Sequence, residues 1–348
     1  MMKVFFVALI GCHLFVTKSM ASSAHGMSKN KVEVYDALGQ GVNSTGPDDQ
    51  YSESGSPRAI VDPTDLCYTQ YFVGHQPPTG FRPFDSQYIK HICQQVTDDT
   101  DVLYSTMFDE KIGIPVYVGY GLEKDQVPRI GTFPRISKWF QDAGIGLQGS
   151  DRMYHGNEQK IHKGHLVPAE TYSFGCINIV STFTYTNAVP QYAAFNIGPW
   201  AQDEKKVRAF AKLCSLNDGD LYLLTGISEA KITEYEALKE DMDYFPINNK
   251  DTGVNIAIPN SMWTAGCCIK RQDGVALGGF AVIGNNVQDN PKMNHLNVKE
   301  LQNILAIGIG EGAVIDLFPG KKECSDNLNQ YQFDEEGGMP GWTKVKKL

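Results

Sequence analysis

The segment from His162 to Glu204 limits the possible folds of this chain more than any other, because it asks a helix to turn a carboxylate toward the core. Pro199 suits a first helical turn, where a missing N–H costs nothing. At about 100° per residue, Trp200, Val207, Ala211 and Cys214 share one apolar stripe, and Glu204 falls within it. Asp203 and Lys206 fall on the outer side. An unpaired carboxylate is too costly to bury, so Glu204 must meet a cation, the water shell of a metal, or the wet edge of the stripe. An ion pair with Arg208, one turn on, is the purely structural answer.

Two carboxamides border the mouth of the same helix. Asn187 precedes Val189-Pro190-Gln191, and Asn196 lies three residues before Pro199. Alone, each reads as a turn or cap residue. Their convergence with an inward carboxylate on one strand, loop and helix points to a site. His165 follows Lys163-Gly164 and precedes Leu166-Val167-Pro168-Ala169. Imidazole accepts a proton from water near neutral pH, where a carboxylate is too weak a base, so His165 is the candidate general base of a hydrolysis. A zinc hydrolase using His155, His162 and His165 is a weaker reading, since no His-Glu-x-x-His occurs and Gly164 interrupts a helical ligand face.

Met1, Met2 and Lys3 precede an apolar run from Val4 to Val16, with Ser19 and Ala21 after it, the pattern of a secretory signal peptide over 1–21. No later run approaches the roughly 20 apolar residues of a membrane span, so an exported, extracellular product is expected. Residues 22–62, rich in Ser, Gly, Asn and Asp, read as a flexible leader or propeptide with a glycosylation sequon at Asn43. Residues 63–325 read as one globular domain, and 326–348 as a loosely tied tail. Core strands are expected in IPVYVGY (114–120), LYLLTGI (221–227), VNIAIP (254–259) and FAVIG (280–284). Helical patterns intervene at 134–142, 199–213 and 298–305 without regular alternation, which gives an α+β class.

Lys and Arg total 31 against 40 Asp and Glu, a net charge of −9. Such a chain does not hold nucleic acid by its overall field, so a polyanion must meet a local positive site, with Lys160, Lys163, Lys205, Lys206 and Arg208 as its rim. Seven cysteines follow the signal. Two or three bridges are expected, with one thiol buried or intermolecular, and the adjacent Cys267 and Cys268 should take different partners.

The runs KGHLVPAETYS (163–173) and STFTYTNAVPQYAAFNIGPWAQDE (181–204) resemble the DNA/RNA non-specific endonucleases of the ββα-metal, or His-Me finger, type. That family's signature is Asp-Arg-Gly-His, then Asn-x-x-Pro-Gln, then Asn-x-x-x-Trp-x-x-x-Glu. The last two stand intact at Asn187 to Gln191 and Asn196 to Glu204. More narrowly, CYTQYFVGHQPPTGF (67–81), IGIPVYVGY (112–120) and IPNSMWTAGCC (258–268) look like the secreted subgroup related to vertebrate endonuclease-domain-containing-1 proteins.

The resemblance covers roughly 65–324 and implies a central antiparallel sheet carrying a ββα-metal element. It implies a Mg²⁺-dependent hydrolase of DNA and RNA, with Mn²⁺ able to substitute. His165 would be the general base, Asn196 the metal-binding amide, Asn187 a second active-site amide and Glu204 the acidic partner of the metal's water shell. Where the family has Asp-Arg before Gly-His, this chain has His162-Lys163, which replaces a planar two-pronged phosphate clamp with a single ammonium. Lys163 is then the substrate contact. The same departure motivates the alternative of a catalytically weak or inactive secreted binding protein on this fold.

Overall fold

Runs such as IPVYVGY place apolar residues at successive positions, and such a strand is stable only where both faces of its sheet are covered. The computed structural model of the chain describes residues 59–81, 87–96, 100–234, 236–245 and 255–325. In it, a hydrophobic core lies on each face of one large sheet. Eight antiparallel strands lie side by side, in the order β1 (Ala59–Val61), β2 (Ile89–Gln94), β3 (Tyr104–Asp109), β4 (Ile114–Leu122), β7 (Gly219–Ser228), β12 (Ser261–Lys270), β13 (Ala276–Asn285) and β14 (Met293–Leu296). The expected α+β class with a central antiparallel sheet is therefore observed. The expected signal peptide, the leader as far as residue 58, the Asn43 sequon and the tail from 326 lie outside the described residues.

Smaller antiparallel pairs are β5 (Ile161–His165) with β6 (Ala188–Tyr192), β8 (Ala230–Ile232) with β9 (Ala237–Lys239), and β10 (Asp243–Phe245) with β11 (Ile256–Ile258). Among the described residues, the α-helices of four residues or more are α1 (Leu66–Thr69), α2 (Asp151–Tyr154), α3 (Cys176–Ser181), α4 (Ala201–Leu216) and α5 (Val298–Ile309). Asn297 and Glu300 start α5 with a reciprocal capping box, each side chain accepting the other's backbone N–H. Its buried Val298, Leu301 and Leu305 join the core of Tyr117, Trp263 and Ile283. On the other face, Val207, Phe210 and Ala211 of α4 pack with Leu221, Leu223 and Phe280, the Phe210 and Phe280 rings meeting edge to face at 5.0 Å. Truncating Phe210 would cost about 3–5 kcal/mol.

Adjacent residues of a strand point to opposite faces, and β12 uses this at Cys267 and Cys268. Cys268 bonds to Cys214 on α4, Cys267 bonds to Cys324, and Cys67 on α1 bonds to Cys93 on β2. The adjacent pair thus takes separate partners, as expected. Cys176 is also disulfide-bonded. The three bridges between described cysteines match the two or three expected, and no described cysteine is a free thiol.

The segment 134–142 is not the helix its periodicity suggested. Its backbone hydrogen bonds go outward: Phe140 N donates to Phe183 O, and Tyr185 N donates to Phe140 O. A loop held across neighbouring chain in this way has no i to i−4 ladder to spare. Its aromatic residues serve the site described next.

Candidate active site

β5, β6 and α4 form a hairpin followed by a helix, and their register sets the site. His165 faces Ala188 and Gly164 faces Val189 across the ladder. The Gln191 side chain lies so close over Gly164 that an added Cβ would meet its Oε1 at 2.2 Å, so glycine at 164 is a packing requirement. Expected at the reacting centre, Asn187 is instead wholly buried in the scaffold. Its Oδ1 accepts from Val167 N at 2.8 Å, and its Nδ2 donates to Val167 O and Thr182 O at 3.1 and 2.8 Å. That amide fixes the chain just past His165, and no surface of it is left for substrate.

From β6 the chain passes through Ala193–Phe195 and a loosened turn, Asn196–Trp200, before α4 begins. Gly198 leaves helical geometry there and Pro199 supplies no N–H, so the turn bulges and carries Asn196 to the rim of a cleft. The cleft, about 220 Å³, is lined by Arg135, Trp139, Tyr154, Glu158, Ile161, His162, Lys163 and Asn196. His162 Nδ1 lies 2.9 Å from Asn196 Nδ2. Three of the residues singled out in the sequence, His162, Lys163 and Asn196, thus share one wall.

Lys163 reaches the cleft already partnered. Its ammonium pairs with Asp151 at the start of α2, which also accepts from Tyr185 Oη at 2.7 Å. It sits over the rings of Tyr185, Trp139 and Tyr154 at 5.5, 5.6 and 5.7 Å. Cation–π contacts and a carboxylate hold the charge in place and neutralise much of it.

His165 lies deeper, 6% exposed, with Trp139 and Phe183 against its ring at centroid distances of 4.6 and 4.8 Å. Burial and then the Arg135 cation hold its pKa well below the ordinary value, so the imidazole is neutral at physiological pH. Its Nε2 has no hydrogen-bond partner among the described residues. A neutral ring with a buried, unsatisfied nitrogen is ready to engage a water.

Glu204 lines another crevice with Tyr120, Pro168, Thr171 and Trp200. Burial pushes its carboxyl up to about 7 against the opposing pull of Arg208, the Trp200 indole and Arg135. The structural ion pair with Arg208 is not formed: Arg208 turns to Glu170 at 3.3 Å and Thr171 at 3.5 Å. Asp203, expected on the outer side, is buried at 3% exposure and meets His295 Nε2 at 2.9 Å and Lys206 Nζ at 3.0 Å. The reason is tertiary, since β14 brings His295 over that flank of α4.

Arg135 is the functional candidate that sequence reasoning missed. It lines the cleft, lies 5.2 Å over the Phe183 ring, and acts electrostatically on His162, His165 and Glu204. It therefore lines the cleft within electrostatic reach of Glu204. The one sequence signal for it was a cluster of Arg135, Lys138, Trp139 and Phe140 in a segment read as helix.

Among the described residues no group of three or more His, Cys, Asp or Glu can enclose a metal. The three histidines of the zinc reading do not converge: His155 faces solvent beside Glu158 while His165 is buried. A carboxamide at an open cleft, with a carboxylate in another crevice, instead fits a hard divalent ion that keeps most of its waters.

The family described as DNA/RNA non-specific endonuclease matches residues 85–310, and this chain belongs to it. Among solved structures, it is similar to a chain in the crystal structure of the EndoG/EndoGI complex, at 15% identity and a TM-score of 0.49, over 69% of this chain and 88% of that one. No curated protein matches.

Proposed function

We propose that this chain is an exported, Mg²⁺-dependent non-specific endonuclease that hydrolyses phosphodiester bonds of DNA and RNA, with Mn²⁺ able to substitute. The observation that carries this reading is the neutral, buried His165, whose Nε2 has no hydrogen-bond partner among the described residues and whose ring packs on Trp139, a wall of the cleft that Arg135 and Asn196 also line. His165 takes the proton of a water as its oxygen attacks phosphorus; the P–O bond opposite breaks, and the leaving oxygen departs with the electron pair. Arg135 and, after exchange of Asp151 for phosphate, Lys163 bind the non-bridging oxygens. Asn196 would hold a divalent ion and Glu204 would anchor its waters, and such an ion would supply positive charge near the crowded phosphorus. Burial raises the Glu204 carboxyl to about 7, which leaves part of it protonated near neutral pH. Disulfides and the apolar run over 4–16 support export, and the motifs at 67–81 and 258–268 support kinship with the secreted subgroup.

Incubating the purified chain with plasmid and with RNA, in Mg²⁺, Mn²⁺ or EDTA, tests the activity. His165→Ala should cut at least about 100-fold more slowly yet still bind Mn²⁺. Asn196→Ala should lose both cutting and the ion. A His165→Ala protein at full rate would reject the base. One observation favours the second reading, a weak or inactive binding protein: the Lys163 charge is already satisfied by Asp151. Absence of metal-dependent cleavage by wild type would establish that reading instead.

A further inference from the structure

The family's Asp is replaced here by His162, and the structure shows where that imidazole goes. Its Nδ1 is 2.9 Å from the amide of Asn196. The two ends of a carboxamide exchange by a half-turn of the side chain, which brings Oδ1 to the same place. Two donors bound about 2.1 Å from one ion at a right angle stand about 3 Å apart, the edge of a six-coordinate shell. The amide donates to Nδ1, so the neutral ring carries its hydrogen on Nε2 and points its Nδ1 lone pair at Asn196. A histidine that binds a metal through Nδ1 carries its hydrogen on the same far nitrogen.

We propose that His162 and Asn196 together bind the divalent ion, making this a mixed nitrogen–oxygen site that prefers Mn²⁺, Co²⁺ or Zn²⁺ to Mg²⁺. The inference rests on the assignment of Asn196 as the metal amide. It changes the ion the site selects, because imidazole favours later first-row metals whereas an all-oxygen shell suits Mg²⁺. Arg135 in the same cleft opposes any cation, and Glu158 on its rim offsets part of that charge. A second protein ligand helps the site hold an ion against that repulsion.

The test uses the full chain and the metals alone, without substrate. Mn²⁺ and Mg²⁺ affinities are measured by calorimetry for wild type, His162→Ala and His162→Gln, and bound Mn²⁺ is examined for nitrogen coupling by pulsed electron paramagnetic resonance. Wild type should bind Mn²⁺ at least 10-fold more tightly than Mg²⁺ and show coupling to one imidazole nitrogen. His162→Ala should lose 10- to 100-fold in Mn²⁺ affinity and lose the coupling, with Mg²⁺ affinity changed less than threefold. His162→Gln keeps a hydrogen-bond acceptor for Asn196, so wild-type Mn²⁺ affinity in that variant would reduce His162 to a positioning residue and overturn the proposal. So would Mn²⁺ bound without nitrogen coupling. Thermal melting of each variant confirms that it is folded. A chain that shows the coupling but cleaves nothing would uphold this inference while defeating the nuclease reading, so the two fail separately.

Discussion

One wall of the cleft is the hairpin of β5 and β6 with the turn into α4; the other is the loop that carries Arg135 and Trp139, followed by α2. The first is held by a strand ladder and by an amide, Asn187, that has no exposed surface. The second has a single bridge of backbone, at Phe140, and otherwise rests on side chains: rings around an ammonium and one carboxylate shared by Lys163 and Tyr185. The intact family motifs lie on the wall held by backbone, and the altered pair His162-Lys163 lies where the two walls meet. Of the two cations in the cleft, Lys163 on the strand is paired with Asp151, whereas Arg135 on the loop forms no ion pair among the described residues.

The largest expected effect is on the backbone-held wall. Asn187→Ala removes three hydrogen bonds and strands a buried N–H and carbonyls, at a cost of about 3 kcal/mol. Urea unfolding measures it, and an unchanged midpoint would show that the amide does not hold this wall. Next comes the division of labour between cations. Arg135→Ala should lower kcat/KM about 30-fold, and Lys163→Ala less than about fivefold, because Lys163 is already neutralised. The reverse order would put the phosphate on the strand.

A smaller effect sharpens the same point. Asp151→Asn should free the Lys163 ammonium and raise kcat/KM about threefold at low salt, with the gain fading as salt is added. No gain at low salt would mean that the rings alone confine Lys163. The smallest effect is the dependence of stability on pH. Burial holds the pKa of His165 well below the ordinary value of 6.5 and that of His91 at about 4. Below pH 6.5 these two imidazoles take up protons in the unfolded chain that they refuse in the folded one, while Glu204, raised to about 7, opposes them with a single proton held in the folded chain; two outweigh one, so stability falls as pH drops from 6.5 toward 4. Thermal melts at pH 7 and pH 5 should show the decline, and His165→Asn should flatten it.

Strands at 114–120, 221–227 and 280–284 and helices near 199–213 and 298–305 were legible because local period and packing agree there. The segment 134–142 was not, because its aromatic residues are spaced by what they cover, His165 and Phe183, rather than by a helical face. The burial of Asp203 depends on His295, 92 residues further along, and no local pattern carries that. Asn187 was legible as important but not as a scaffold: a motif gives residue types at a spacing, and only burial shows which way a side chain is spent. Arg135 was invisible for the same reason as its loop.

The neighbouring cysteines of β12 have a consequence for how this protein comes apart. β12 lies between β7 and β13, and it is riveted through Cys268 to α4 on one face and through Cys267 to the turn at Lys322–Cys324 on the other. Neither α4 nor that turn can peel away while its bridge is intact, so local opening at these two places is suppressed. Their persistence among proteases is then set by the rate of wider opening, and a reductant that reaches this one strand shortens it from both sides at once.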